Sequence, residues 1–92
     1  MITSFKHKGL YGFYARRDRR GIPAVFSARI ERIIERLDSS VCPEDMDLPG
    51  YKFHALKGKR LGIFSVHVSG NWRITFGFDQ NDAIEVNLED YH

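Results

Sequence analysis

Cysteine is nearly absent: Cys42 is the only one in 92 residues. A lone thiol excludes an internal disulfide framework and any zinc site built on several cysteines. Long apolar runs are missing as well, and none approaches the roughly 20 residues of a membrane span. The opening Met1-Ile2-Thr3-Ser4-Phe5-Lys6 lacks the hydrophobic core of a secretory leader. There is no Walker-type or dinucleotide glycine motif, no internal repeat, no low-complexity tract and no linker. These absences predict a single domain over residues 1–92, working in the cytoplasm without contact to a membrane.

What is present is globular in character. Hydrophobic residues make up 42% and aromatics 13% of the chain, too apolar for a disordered segment. The formal net charge of +2 hides a blocked arrangement. Residues 1–36 carry nine Lys/Arg against three acids, and 37–50 carry four acids and no base. Residues 51–73 then carry five bases and no acid, and 74–92 five acids and no base. Blocks of opposite sign allow a polyanion-facing surface beside an acidic one, or solvated faces that cancel on folding.

Hydrophobic periodicity divides the chain in two. Leu10, Phe13, Tyr14 and Arg17 repeat at helical spacing after a short first strand over 2–5. The basic connection Arg16-Arg17-Asp18-Arg19-Arg20-Gly21 ends that helix. Pro23 suits the first turn of a second helix, in which Phe26, Ile30, Ile33, Ile34 and Leu37 form one apolar stripe. Residues 39–50, with Pro43, Pro49 and Gly50, read as a loop. Beyond it the period becomes 2. Residues 61–68 form a strand, with Phe64, Val66 and Val68 on one face. After a turn at Ser69-Gly70-Asn71, Trp72, Ile74, Phe76 and Phe78 alternate with Arg73, Thr75 and Gly77. Ile84, Val86 and Leu88 are the apolar face of a last strand. The fold class is therefore α+β: two N-terminal helices packed on one face of a small, mainly antiparallel sheet. Arg73, Thr75, Glu85 and Asn87 point to the opposite, open face.

The histidines are the candidate acid–base groups. His7 reads as solvated surface and His67 as a sheet histidine. His54 lies within Tyr51-Lys52-Phe53-His54-Ala55-Leu56-Lys57-Gly58-Lys59-Arg60, amid four cations and no acid. His92 ends the sequence in Asp90-Tyr91-His92, either a frayed tail or a carboxylate, a phenol and an imidazole held at the sheet edge. RNA is cut without a metal when its own 2′-OH attacks the neighbouring phosphate. That reaction needs a base, an acid and cations for the developing charge. Two histidines, Lys57 and Arg73 supply those parts, and Tyr91 offers a ring to stack on a base. The histidines and Asp90 lack short metal-ligand spacing, so neither a metal nor another cofactor is expected.

The chain resembles HigB toxins of the RelE superfamily, the plasmid-maintenance or host-killer proteins. Four segments carry the resemblance: residues 1–10, Tyr51-Lys52-Phe53-His54-Ala55-Leu56-Lys57-Gly58, Asn71-Trp72-Arg73-Ile74-Thr75-Phe76, and Glu89-Asp90-Tyr91-His92. It implies a microbial-ribonuclease-like fold and a ribosome-dependent endonuclease that cleaves mRNA. It also implies a cognate helix-turn-helix antitoxin, HigA-like, through which alone operator DNA is contacted. The family positions match at His54, Lys57, Asn71, Arg73, Asp90, Tyr91 and His92. The resemblance makes His54 the base and His92 the acid, though the two roles are exchangeable at this level. Lys57 and Arg73 stabilise phosphate charge, Asp90 orients an imidazole or the RNA, Tyr91 contacts substrate and Asn71 reads a base edge. Residues 11–20 and 41–48 carry no family signature; Arg16, Arg17, Arg19, Arg20, Arg29, Arg32 and Arg36 are candidates for gripping ribosomal RNA. The alternative is a non-catalytic RNA- or ribosome-binding module that uses the same basic sheet face and needs the cations but not the histidines.

Overall fold

The computed structural model describes residues 1–90. Helix α1 (Lys8–Arg16) starts at His7, whose Nδ1 accepts the Leu10 amide at 3.1 Å. The imidazole does what Ser or Asp does at most helix starts, satisfying one of the orphan amides. Arg17 closes the helix in the left-handed region (φ 58°), its amide donating to the Phe13 carbonyl. Helix α2 (Ser27–Ser39) is entered through one turn of 3₁₀ helix, Ala24–Phe26. Pro23 caps that turn from extended backbone, a position earlier than expected. Ile30, Ile33, Ile34 and Leu37 are buried, and Phe26 packs at the margin of the core. Sealing each such side chain from water contributes about 1.5–3 kcal/mol. The 39–50 connection is more ordered than a plain loop. A 3₁₀ turn, Pro43–Met46, carries Met46 into the core, beside the Ser40 hydroxyl at 3.4 Å.

Four antiparallel strands follow, β1 (His54–Ala55), β2 (Phe64–Ser69), β3 (Trp72–Asp79) and β4 (Asp82–Asp90), in that order across the sheet. The strand expected over 61–68 begins later, at Phe64. Gly58 and Gly62, at φ 66° and 92°, first turn the chain through a short 3₁₀ stretch, Gly58–Arg60. The N-terminal segment makes two isolated parallel bridges with β4, Ile2 to Ala83 and Phe5 to Val86, instead of a full strand. It covers what would be the open edge of β4.

One expected face needs correction. In β4 the buried residues are Ala83, Val86 and Leu88, and Ile84 turns to the other side. A β-bulge causes this: Thr75 pairs with Asn87 but Gly77 pairs with Ile84, so β4 holds an extra residue there. Glu85 takes φ 52° at the bulge, and its amide is satisfied by the Ser4 hydroxyl at 2.8 Å. Both helices cover the face bearing Val66, Ile74, Phe76, Val86 and Leu88, and all join one buried cluster. Among the described residues no helix is long and apolar enough to cross a membrane.

Candidate active site

Antiparallel register fixes which side chains meet on the open face, because directly paired residues share a side. One row across the sheet is His54, Ser65, Thr75 and Asn87; the next is His67, Arg73 and Glu89. Between the rows and the β1–β2 connection lies an open hollow of about 400 Å³, lined by His54, Ala55, Leu56, Lys57, Ser65 and Arg73. His54 and Arg73 sit two strand spacings apart, about 10 Å between backbones. That separation leaves room for a phosphodiester between their side chains. His54 and Lys57, near neighbours in sequence, and the more distant Arg73 thus line one groove: an imidazole, an ammonium and a guanidinium.

His54 is exposed and its ring is held from one side. Nδ1 lies 2.7 Å from the Lys52 carbonyl oxygen. A carbonyl only accepts, so Nδ1 carries the proton and donates it there. In the neutral ring Nε2 is then the lone-pair nitrogen, the arrangement a general base requires. Lys52 stands in the left-handed region at φ 48°. The two-residue strand β1 fixes His54 opposite Ser65.

Glu89, which is not among the sequence's site candidates, organises the middle of this face. Its carboxylate takes two bonds from Arg60, NH1 to Oε1 at 2.9 Å and NH2 to Oε2 at 2.5 Å. The buried Thr75 hydroxyl donates to Oε2 at 2.6 Å. The Arg60 guanidinium holds the Glu89 carboxyl below the usual carboxylate range, although part-burial works against it. Only the alternation of β4 hinted at this position, since it puts Glu89 on the same side as Asn87.

The other candidates are spread around this groove. Asn71 is exposed in the β2–β3 turn, and His67 Nε2 lies 3.2 Å from the Gly70 carbonyl of the same turn. Asp90 is in register with Trp72 and shares its side with Leu88, opposite the side of Arg73 and Glu89. Tyr91 and His92 lie outside the described residues. The basic connection after α1 is partly neutralised: Arg19 pairs with Glu31 at 2.8 Å and Arg20 with Asp18 at 2.9 Å. Hydrogen bonds from Arg20 pull the Asp18 carboxyl down to about 2. Arg29 has a structural task, bonding the Gly50 and His67 carbonyls and lying 4.7 Å from the Tyr51 ring centroid. Among the described residues no three His, Cys, Asp or Glu side chains group as metal ligands. A separate hollow of about 350 Å³ lies between the N-terminal segment and α1, where the Tyr14 hydroxyl is engaged by Asp38.

Residues 3–92 match the family described as HigB-like toxin, the RelE-like toxin of the type II toxin–antitoxin system HigB. The chain belongs to this family. It is similar to "Endoribonuclease HigB" of Proteus vulgaris, 42% identical over the full length of both proteins. It is also similar to "Toxin HigB-1" of Vibrio cholerae serotype O1, 31% identical over 97% of this chain and 96% of that protein. As a HigB-like toxin of a type II system, the protein has an antitoxin as its partner. The two helices and four-stranded antiparallel sheet are the α+β arrangement expected of a RelE-like toxin. In this HigB-like protein the groove on the open sheet face is where an imidazole and two cationic side chains come together.

Proposed function

We propose that the protein is the toxin of a type II system and acts as an endoribonuclease, cleaving mRNA on the ribosome in the groove between β1 and β3. The observation that carries this reading is the convergence of His54, Lys57 and Arg73 on one hollow. Its supports are the HigB-like family and the relative named as an endoribonuclease. In the proposed reaction Nε2 of His54 takes the proton of a ribose 2′-OH. The 2′-oxygen bonds to the adjacent phosphorus as the bond from phosphorus to the 5′-oxygen breaks. A proton from His92 goes to that leaving oxygen, giving a 2′,3′-cyclic phosphate and a free 5′-OH. Lys57 and Arg73 meet the charge that grows on the phosphate oxygens. Tyr91 contacts the substrate, Asn71 reads a base edge, and Asp90 orients an imidazole or the RNA. No metal takes part in this scheme. The partner is a HigA-like helix-turn-helix antitoxin, which alone carries the pair to operator DNA, and the site of action is the cytoplasm.

Cleavage of mRNA on programmed ribosomes tests the reading. Wild type, His54→Ala and His92→Ala are compared at matched folding, with and without EDTA, and with free mRNA as the control. EDTA-resistant cutting on ribosomes, reduced about 10²–10⁴-fold in either variant, is the expected result. Wild-type protein that binds ribosomes but leaves mRNA whole would replace the enzyme with a binding module. Cutting abolished by EDTA and restored by a divalent cation would remove the metal-free mechanism.

A further inference from the structure

We propose that Glu89 is a positioning residue for the groove: through Arg60 it holds the 56–63 connection in the place from which Lys57 reaches the RNA phosphate. The proposal rests on the cleavage reading above and adds a component of the same site.

The 56–63 connection joins β1 to β2 and forms one wall of the groove. It is closed at its base by the Leu56 amide donating to the Ile63 carbonyl at 2.8 Å. Within it, the amides of Arg60, Leu61 and Ile63 bond the carbonyls of Lys57, Gly58 and Arg60, at 3.3, 3.1 and 3.0 Å. These bonds shape the turn but do not attach its tip to the sheet. Gly58 and Gly62 flank the tip at φ 66° and 92°, with no atom within 4 Å of where a Cβ would stand. Two open glycines give the tip freedom to swing, and Lys57 stands next to the first of them.

Arg60 supplies the attachment. Its fork closes on both oxygens of Glu89, which is two strands beyond β2, so the tip is strapped across β3. The strap is anchored in turn by the buried Thr75 hydroxyl, which donates to Glu89 Oε2. A bidentate guanidinium–carboxylate pair fixes direction as well as distance. A single ion pair still partly open to solvent adds modestly to global stability, so its main consequence is where the tip, and with it the Lys57 backbone, is held. A displacement of about 1 Å in a charge-stabilising group is enough to cost about 100-fold in rate.

Two readouts on the full-length protein test this, one independent of activity. Amide hydrogen exchange is measured on free wild type, Glu89→Gln, Thr75→Val and Thr75→Ser. Single-turnover cleavage of ribosome-bound mRNA is followed as a function of toxin concentration. In Glu89→Gln, exchange at Arg60, Leu61 and Ile63 rises about tenfold while β2–β4 core amides are unchanged. The maximal rate falls at least about tenfold, and the half-saturating toxin concentration moves less than about twofold. Thr75→Val shows a weaker form of both effects, and Thr75→Ser, which keeps the hydroxyl, restores wild-type behaviour.

Unchanged exchange at the tip overturns the strap. Faster exchange with an unchanged maximal rate, or a loss confined to the half-saturating concentration, overturns the positioning role. Wild-type protein that leaves mRNA whole overturns the cleavage reading and with it this role of Glu89, while the exchange data still report separately on the Arg60 tether.

Discussion

Ile74 and Phe76 of β3 are sealed against the helices, whereas Arg73 and Thr75, one residue along, lie on the side that carries His67, Ser65 and Glu89. The two sides are made by the same strands but held by different physics. On the inner side the energy is non-directional and scales with apolar area removed from water. On the outer side it is directional: a carbonyl orients the His54 ring, and the Glu89 carboxylate, met by Arg60, Thr75 and Asn87, is bonded to the 56–63 connection. The inner side therefore governs whether the chain folds, and the outer side carries the groups that the proposed cleavage uses.

Paired substitutions on β3 probe that division most sharply. Phe76→Ala is expected to lower the unfolding free energy by about 3–5 kcal/mol, through lost transfer energy and the cavity left behind. Arg73→Ala is expected to cost about 1 kcal/mol or less in stability yet to reduce ribosomal mRNA cleavage about 100-fold. Urea denaturation and the cleavage assay on the same two proteins separate the outcomes. Comparable destabilisation by both substitutions would end the distinction between the faces.

Glycine positions extend the comparison at smaller magnitude. A Cβ at Gly9 would stand 1.9 Å from the Gly21 carbonyl oxygen and 2.5 Å from its carbon, so backbone would have to move. Gly9→Ala is expected to cost about 1–3 kcal/mol by overpacking. On the other face a Cβ at Gly77 would meet the Ile63 and Ile84 side chains at 3.4 Å and the Gly62 carbonyl oxygen at 3.5 Å, ordinary contact distances. Gly77→Ala is expected to stay within about 0.5 kcal/mol of wild type. Thermal melts of the two variants decide this, and a larger loss at Gly77 would reverse the ranking.

The inner side was legible in the sequence because burial writes itself as a period. The stripe from Ile30 to Leu37 and the alternation from Trp72 to Phe78 both reappear as elements with the expected face inward. Ile84 departs from the face that alternation predicts because a bulge inserts one residue without any change in composition. The Glu85 backbone that forms it is a left-handed non-glycine residue, which no local pattern announces. The strand β1 is two exposed residues, too short to show a period. On the outer side, His54, Lys57 and Arg73 stand out by residue chemistry and then by family resemblance, not by spacing. The meeting of Arg73 with His54 and Lys57 depends on a strand register across β1, β2 and β3 that no local pattern announces. The Arg60–Glu89 pair, whose members are 29 positions apart, leaves no mark beyond the side of the strand on which Glu89 falls. Likewise the approach of Gly9 to Gly21 leaves no trace in either residue's neighbours.

His7 gives the smallest and most pH-sensitive effect. Its place between two lysines suggests solvated surface, yet it caps α1, and burial lowers its pKa from the usual value near 6.5. The ring accepts the Leu10 amide only while Nδ1 lacks a proton. The unfolded chain therefore takes up a proton more readily than the folded one. The stabilisation is fully present above the unfolded pKa and fades as pH falls through that value toward the lower folded one. Replacing the cap with His7→Ala is expected to cost about 1 kcal/mol at pH 7.5. His7→Asn keeps a capping acceptor that does not titrate, so it should match wild type within about 0.5 kcal/mol at pH 7.5. At pH 5 it should be the more stable of the two. The remaining histidines are common to both proteins and cancel in the difference, which leaves the cap as the source of any divergence. Urea denaturation of the pair from pH 7.5 to 5 measures it. A difference that stays constant with pH would return His7 to the solvated surface and leave α1 without a titrating cap.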